Sequence, residues 1–248
     1  MDINRIEAVV RPRNPWESID LGFSMVRHWW KPLYKIWFFF LLLIFLILSP
    51  LFLVVGNSIW IIGFIIWWLK PLYDRIILYF LSHALFGDQP SFRECLSNLL
   101  NTRLLVGLFT WWRFDLARSF NLPVWQLEGL RGISHRKRLN LLHKNTKSTA
   151  VWLTIICIHF EWVLIFSLFG LLYMFMPANA NFDFFQVVFF DESYWVECLS
   201  LIFTSLVIGI IEPLYVAAGF SLYLNRRTRL EAWDIELGFR RIANGLVP

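Results

Sequence analysis

The feature that most constrains this chain is a run of twenty residues without a charge, from Ile36 to Val55 (IWFFFLLLIFLILSPLFLVV). An α-helix of about 20 apolar residues spans the hydrocarbon core of a bilayer, a length that a helix in a soluble core seldom needs. The composition agrees, because the chain is 58% hydrophobic and only 17% charged, whereas a typical soluble domain is about 25% charged. We therefore expect an all-α, polytopic membrane protein.

Three further apolar stretches follow at 59–86, 149–176 and 194–224, so the sequence predicts four transmembrane helices. Lysine and arginine indicate their direction, because these residues concentrate in cytoplasmic segments. Six lie in residues 1–35, ten in 87–148 and five after the last apolar run, which makes 21 of the 23 in the chain. Both termini and the middle segment are thus predicted to be cytoplasmic, with the protein in a bacterial inner membrane.

The tripeptide Pro-Leu-Tyr occurs three times, each time directly after a charged residue, as KPLY at 31–34, KPLY at 70–73 and EPLY at 212–215. The first copy stands at the start of an apolar run, where proline is tolerated in the first turn of a helix. The other two lie within apolar runs. Since proline lacks the N–H that a helix interior needs, Pro71 and Pro213 are predicted kink positions.

The later two copies occupy corresponding places in the second and fourth apolar runs, which suggests an internal repeat. We predict two parallel transmembrane hairpins, 36–86 and 149–224. The other segments are predicted to be cytoplasmic: an interfacial amphipathic helix in 1–35, a basic helical segment in 87–148, and an amphipathic helix with a tail in 225–248.

The two end segments share the pattern Ile-acid-Leu-Gly-Phe, and residues 15–30 and 229–242 are predicted to be helical. Helix-start signals are predicted at Asn14 with Glu17, at Ser91 with Glu94, and at Thr228 with Glu231. One face of the first helix carries Trp16, Ile19, Phe23, Val26 and Trp30. This face is expected to lie in the headgroup region, with packing on protein as the alternative. Trp16, Phe23 and Trp233 are expected to face lipid or protein rather than water.

The middle segment contains LLVGLFTWW at 104–112, which is apolar but too short to span, and the sequence leaves open whether 104–120 enters the bilayer. A basic cluster follows, formed by His135, Arg136, Lys137 and Arg138. It is expected to enforce topology and to contact anionic lipid, with a specific anionic partner as the alternative. No recognised nucleic-acid-binding module surrounds it, so nucleic acid is not an expected partner.

Ionisable residues within apolar runs are the strongest functional candidates, because burying a charge in hydrocarbon is costly. The candidates are Lys70, Asp74, Arg75, His159, Glu161 and Glu212. Lys70 and Glu212 hold matching places in the repeat with opposite charges, so we predict a buried ion pair between them. Asp74, four residues after Lys70, is the local rival for the same lysine.

No metal site, cofactor or disulfide is predicted. His159 and Glu161 stand two positions apart on a helix, so their side chains point about 200° from each other around the axis and cannot readily share an ion. The three cysteines are widely spaced and odd in number, which fits small apolar residues in helices. The sequence also contains no glycine-rich phosphate loop, zinc-protease motif or nucleophile elbow.

Three stretches suggest a family: NPWESIDLGFSMVRHWWKPLYKIW, LPVWQLEGL and EPLYVAAGFSLYLNRRTRLEAWDIELGFRR. They resemble a group of poorly characterised bacterial multi-pass inner-membrane proteins, which tend to be encoded near MoxR-type AAA ATPases and transglutaminase-like membrane proteins. The last stretch is also similar to the membrane domain attached to some glycerophosphodiester phosphodiesterases. No counterpart of their soluble catalytic domain is found, so the resemblance carries over no catalytic residue. It implies a membrane component that works with partners.

Two functions are compatible with these features. The first is a non-enzymatic membrane subunit or scaffold that contacts membrane lipids and assembles with itself or with other envelope proteins. The alternative is a small transporter or channel for a lipid or small solute, built from the proline-broken helices around Lys70 and Glu212, since discontinuous helices around charges recur in transport sites.

Overall fold

The computed structural model describes residues 11–55, 58–101, 114–175 and 193–233. Within these ranges the chain forms helices joined by short connections and has no strand, so the all-α prediction is confirmed there. The helices are α1 Pro15–His28, α2 Trp30–Val55, α3 Trp60–Trp68, α4 Lys70–Ala84, α5 Phe92–Asn101, α6 Arg118–Gln126, α7 Gly132–His143, α8 Lys147–Met174 and α9 Tyr194–Glu231.

Three of the described helices, α2, α8 and α9, are long and apolar enough to cross a membrane. The most apolar part of α9 is 61% buried inside the protein, whereas that of α8 is only 6% buried. A long apolar helix with so much open surface is suited to hydrocarbon rather than water. The three helices therefore favour a membrane location, with α9 at the centre of the fold and α8 at its edge.

The stretch predicted as the second span forms two consecutive helices in place of one. Helix α3 has nine residues and α4 has 15, and they meet at Leu69. Each is shorter than the roughly 20 residues that a single spanning helix needs. The break follows from Pro71 in the first turn of α4, because proline cannot donate the bond that would continue α3. The hydroxyl of Tyr73 donates to the Ile66 carbonyl at 2.9 Å, which satisfies one acceptor at the end of α3.

Helix α9 continues through Pro213 as one helix of 38 residues, so this proline does not divide its run as Pro71 does. Two glycines mark where other helices come close to α9. A Cβ on Gly22 of α1 would lie 2.6 Å from the Ala217 carbonyl oxygen, and one on Gly219 of α9 would overlap Ser119 of α6. Small residues allow backbones to approach closely, which is how membrane helices pack without a hydrophobic driving force.

The first helix packs on protein along one side and leaves aromatic rings exposed along another. Asn14 caps α1 as predicted, accepting from the Trp16 N–H, while Glu17 pairs with Arg11 and Arg13. The predicted apolar face divides between the two sides. Ile19 and Val26 are buried, and Trp16, Phe23 and Trp30 are exposed. Packing on protein therefore accounts for two of the five residues of that face.

The predicted helix start at Thr228 is wrong. Helix α9 runs through this position to Glu231 and ends at Ala232, whose φ of 52° is left-handed, and the Thr228 hydroxyl donates to the Leu224 carbonyl. Trp233 is buried, as expected, with the Arg227 guanidinium 4.7 Å from its ring. The rest of the predicted helix 229–242 lies outside the described residues.

The middle segment contributes α5, α6 and α7 and packs against the long helices. The predicted capping box at Ser91 is confirmed, because the Ser91 N–H donates to Glu94 Oε2 at 3.0 Å and the Glu94 N–H donates to the Ser91 hydroxyl. Most of α6 is buried, including Phe120 and Leu122. The apolar run at 104–112 lies outside the described residues.

Candidate functional site

The first turn of α4 places two charged side chains in the interior. Because α4 starts at Lys70, Lys70 and Asp74 stand one helical turn apart on the same face. The Lys70 side chain is 7% exposed and that of Asp74 is fully buried. A buried charge needs a partner of the opposite sign, and both residues find theirs on other helices.

Five side chains form one chain of ion pairs in which acid and base alternate. Glu161 of α8 lies 2.6 Å from the Lys70 ammonium, which also lies 3.2 Å from Glu212 of α9. The other oxygen of Glu212 is 3.2 Å from the guanidinium of Arg118, the first residue of α6. Arg118 Nε in turn is 2.5 Å from Asp74 Oδ2. We call this series, Glu161–Lys70–Glu212–Arg118–Asp74, the ion cluster.

The predicted Lys70–Glu212 ion pair is confirmed, but it is one link in a longer series. Asp74, the predicted rival for Lys70, pairs with Arg118 instead. Glu161, predicted only as an isolated intramembrane acid, is the second partner of Lys70. The ion cluster therefore joins four helices, α4, α6, α8 and α9.

Arg118 is the member of the ion cluster that the sequence analysis missed as a site residue. It precedes the apolar sequence SFNLPVW in a segment predicted as cytoplasmic, so its charge gave no sign of burial. The sequence did contain one indication of a further buried cation, because the apolar runs hold more carboxylates than lysine and arginine residues. The Arg118 guanidinium also lies 5.5 Å from the centre of the Tyr215 ring. The Tyr215 hydroxyl accepts from the Ser119 N–H at 3.3 Å and contacts the Thr154 hydroxyl at 3.1 Å.

A cavity of about 830 Å³ opens beside the ion cluster. One part of its wall is polar, formed by Lys70, Asp115, Arg118, Thr154, Glu161, Glu212 and Tyr215. The rest is mostly apolar and includes Trp67, Ile165, Phe166, Phe169, Val207 and Ile208. A concave site with apolar walls and a few converging polar groups is the usual form of a small-molecule binding site.

Two of the predicted candidates lie away from the ion cluster. Arg75 of α4 is buried with its guanidinium 4.8 Å from the Trp125 ring, and its carbonyl accepts from Gln126 at 2.9 Å. His159 of α8 is exposed, and its ring Nδ1 lies 2.7 Å from the Ile155 carbonyl of its own helix. His159 and Glu161 thus point in different directions, as their spacing predicts. Among the described residues, no group of three or more His, Cys, Asp or Glu side chains is placed to hold a metal ion.

The basic cluster lies on α7, and its members have different surroundings. Arg138 forms a two-point contact with Glu128, at 2.8 and 2.9 Å, and a further pair with Glu231 at 2.5 Å. Arg136 and Lys137 are exposed. His135 is partly buried, and this burial lowers its pKa. Arg138 therefore ties α7 to the end of α9, which leaves Arg136 and Lys137 as the cations open to an external partner.

A hydrogen-bonded series leads from the cavity wall toward α7. Asp115 accepts from the Asn121 side-chain amide at 2.6 Å, and the Asn121 oxygen lies 2.6 Å from His143 Nε2. Burial lowers the pKa of His143, with Asp115 acting in the opposite direction and Lys147 adding to the decrease. The neutral ring therefore donates to Asn121, which orients the amide toward Asp115.

The three cysteines are free thiols, and Cys95 is buried in the core. Cys157 lies in the cavity wall next to Glu161 in space.

The candidate site as a whole is a buried ion cluster at one side of a largely apolar cavity. Comparison of the chain with protein-family models, with curated proteins and with solved structures finds no match.

Proposed function

We propose that this protein is a non-enzymatic, multi-pass inner-membrane protein that binds an amphipathic molecule in the cavity beside the ion cluster, as a small transporter or channel would. The observation that carries the proposal is the division of the cavity wall. Charged and hydroxyl groups line one part, and aromatic and aliphatic side chains line the rest. A polar head group beside the ion cluster and a hydrocarbon portion against the apolar wall would each meet a matching surface.

In the proposed topology, α2, α8 and α9 each cross the membrane, and α3 with α4 together make the fourth crossing, so that two hairpins result. The distribution of lysine and arginine supports cytoplasmic termini. Glu161 lies about four turns from the start of α8 at Lys147, about 21 Å along the helix at 1.5 Å per residue. A hydrocarbon core is about 30 Å thick, so this depth would put the ion cluster inside it.

The divided crossing also favours a binding function. Helix breaks within membrane segments free backbone groups and carry charges toward a central site in many transporters. Here the α3–α4 break stands directly before Lys70, whose ammonium lines the cavity. A protein that only anchored itself in the membrane would not need this break, because an uninterrupted helix would cross equally well.

Filling the cavity tests the proposal. We would extract the full-length protein with its native lipids and identify by mass spectrometry any amphiphile retained in stoichiometric amount. Thr204→Trp adds bulk to the cavity wall, and Ile202→Trp adds the same side chain at an exposed position of the same helix. We expect the wild type and Ile202→Trp to retain the amphiphile and Thr204→Trp to lose it. Equal retention by all three folded proteins, or no retained amphiphile in the wild type, would contradict the proposal.

A membrane subunit or scaffold is the second candidate, and the exposed surface of α8 favours it. Trp152, Ile156, Phe160 and Val163 are all exposed on this helix. Such a surface would accept lipid or another membrane protein, including a second copy. A native mass measurement of the detergent-extracted complex distinguishes these occupants, since copurifying proteins or a fixed oligomer support the scaffold function.

The family suggested by the sequence motifs stays part of this proposal, because a membrane component that works with partners suits either function. Lipid contact by the basic cluster is proposed for Arg136 and Lys137, the two cations of α7 that are exposed. Anionic head groups attract such side chains by about 1 kcal/mol per charge. Nucleic acid is not among the proposed partners.

A further inference from the structure

The ion cluster has one more acidic group than basic groups. Its three carboxyl groups, Asp74, Glu161 and Glu212, face two cations, Lys70 and Arg118. If every group is ionised, the net charge is −1. A net charge in a low-dielectric interior is unfavourable, and such sites take up a proton or a counter-ion instead.

The charges around the ion cluster do not supply the missing cation. Asp115 beside α6 is itself acidic and accepts from the Ala117 N–H and the Asn121 amide, while the Arg75 guanidinium of α4 lies against Trp125, away from the cluster. On α8 the nearby titratable group is the Cys157 thiol, and on α9 it is the Tyr215 hydroxyl, both neutral near pH 7. Within the described part of the chain, the site therefore lacks one positive charge.

The order of the ion pairs indicates which carboxyl group has room for that charge. Glu212 stands in the middle and contacts both cations, whereas Glu161 and Asp74 stand at the two ends and contact one cation each. Asp74 is fully buried and does not line the cavity. Glu161 lines the cavity, with 17% of its side chain exposed. An external cation can therefore approach Glu161 but not Asp74.

The geometry points to a cationic amphiphile as the ligand of the cavity, bound at Glu161 in exchange for one proton. This inference rests on the proposed function and specifies its substrate class. In the empty site the Glu161 carboxyl group holds the proton and still accepts from Lys70 through its other oxygen. When the cation arrives, the O–H bond of Glu161 breaks, the proton passes to water, and the carboxylate pairs with the cation, so charge is conserved.

Two ions of the same shape and opposite charge test whether the cavity prefers a cationic ligand. We would titrate the full-length protein in neutral detergent with tetraphenylphosphonium and, separately, with tetraphenylborate, by calorimetry near neutral pH in two buffers of different ionisation enthalpy. We expect the phosphonium to bind with release of one proton, as the charge balance requires, and the borate not to bind. Stronger binding of the borate, or cation binding without proton release, would overturn the inference while leaving the cavity function standing.

Three variants, together with infrared spectra of the wild type, test which carboxyl group exchanges its proton for the cation. Glu161→Gln leaves the other four groups with balanced charges, and it should weaken phosphonium binding by about tenfold or more, as loss of a buried charge partner does, and abolish proton release. His159→Gln, two positions away and exposed, should behave as the wild type. Asp74→Asn also leaves four groups with balanced charges, so it should abolish proton release as well and cannot by itself locate the proton.

Infrared difference spectra of the wild type locate it, because the protonated-carboxyl band that disappears on phosphonium binding should shift with ¹³C-labelled glutamate and not with ¹³C-labelled aspartate. A band that shifts with labelled aspartate would place the proton on Asp74 and make the assignment to Glu161 wrong.

Absence of binding by either ion would also overturn the inference. The proposed function would then be judged independently, by the amphiphile that copurifies with the wild type and is lost from Thr204→Trp. The two failures are thus distinguishable, because one concerns the charge of the ligand and the other concerns occupation of the cavity.

Discussion

The indole N–H of Trp37 donates to the carbonyl of Gly209 at 2.9 Å. Gly209 stands four residues before Pro213, so its carbonyl is the one that would accept the N–H that proline lacks. The Tyr34 hydroxyl, from the first Pro-Leu-Tyr copy, donates to the next carbonyl, that of Ile210, at 3.3 Å. Helix α2 thus supplies through Trp37 the one donor that Pro213 removes from α9, and through Tyr34 it adds a second bond at the next carbonyl.

This relationship makes Trp37 and Pro213 dependent on each other. Trp37→Phe keeps an aromatic ring but leaves the buried Gly209 carbonyl without its donor, which should destabilise the fold by about 1–3 kcal/mol. In a Pro213→Ala background the alanine N–H can satisfy that carbonyl, so the same substitution should cost less. Thermal unfolding of the wild type, the two single variants and the double variant gives the coupling free energy between Trp37 and Pro213. Trp30→Phe, at an exposed site, is the control. Equal costs in both backgrounds would contradict this role.

The order of charges in the ion cluster predicts unequal effects of removing its members. Glu212→Gln leaves two separate pairs, Lys70 with Glu161 and Arg118 with Asp74, and should be mild. Lys70→Met leaves the carboxylates of Glu212 and Asp74 to share the Arg118 guanidinium and should destabilise by about 3–5 kcal/mol, as breaking a buried pair does. Adding Glu212→Gln to Lys70→Met leaves Arg118 paired with Asp74 alone and should restore part of the folded yield. The prediction fails if Glu212→Gln is the more harmful of the two single changes.

Close packing at Gly219 should make even a methyl group harmful. The added Cβ of Gly219→Ala would overlap Ser119 and push α6, with Arg118, away from α9; overpacking costs about 1–3 kcal/mol or more. Gly170→Ala in α8 is the matched control, because nothing lies within 4 Å of its added Cβ. The control should be neutral or stabilising by up to about 1 kcal/mol through helix propensity. Similar melting temperatures for the two variants would argue against the close approach.

Two neighbouring cations of α7 should differ in their contribution to stability. Arg138→Gln leaves Glu128 and Glu231 without their shared guanidinium and should cost about 1–3 kcal/mol, as loss of charge-assisted hydrogen bonds does. Lys137→Gln, on the exposed side, should change stability by less than about 0.5 kcal/mol. Anionic vesicles should show the reverse order, since Lys137 is free to meet the lipid. A stability loss at Lys137 as large as that at Arg138 would contradict the assignment.

His143 should make stability depend on pH. Because burial lowers its pKa in the folded state, the unfolded chain binds more protons once the pH falls below the ordinary histidine pKa of about 6.5. Stability is therefore expected to fall as the pH decreases through this value. Melting temperatures at pH 7.5 and 5.5 should differ less in His143→Gln than in the wild type. A residual decrease is expected from His135, whose pKa burial also lowers; an unchanged difference would exclude a role for His143.

Local rules were sufficient for several features. Apolar length indicates the long helices, Pro71 breaks the second run, and Asn14 and the Ser91–Glu94 pair start their helices as predicted. The Lys70–Glu212 pair also followed from the sequence, because two opposite charges within apolar runs each need a partner. These features depend on residues close together in the chain or on the cost of burying a lone charge. Both can be recognised from the hydropathy and spacing of residues in the sequence.

Only the tertiary structure decided the rest. Arg118 joins the ion cluster because α6 packs into the fold at Gly219, a contact between residues about 100 positions apart in the chain. Glu161 meets Lys70 because α8 lies along α9 beside the α3–α4 break, and the same arrangement leaves the cavity open. Helix α9 continues past Thr228 where Arg138 and Arg227 hold Glu231. Such contacts depend on how whole helices pack, and no local pattern of residues encodes that packing.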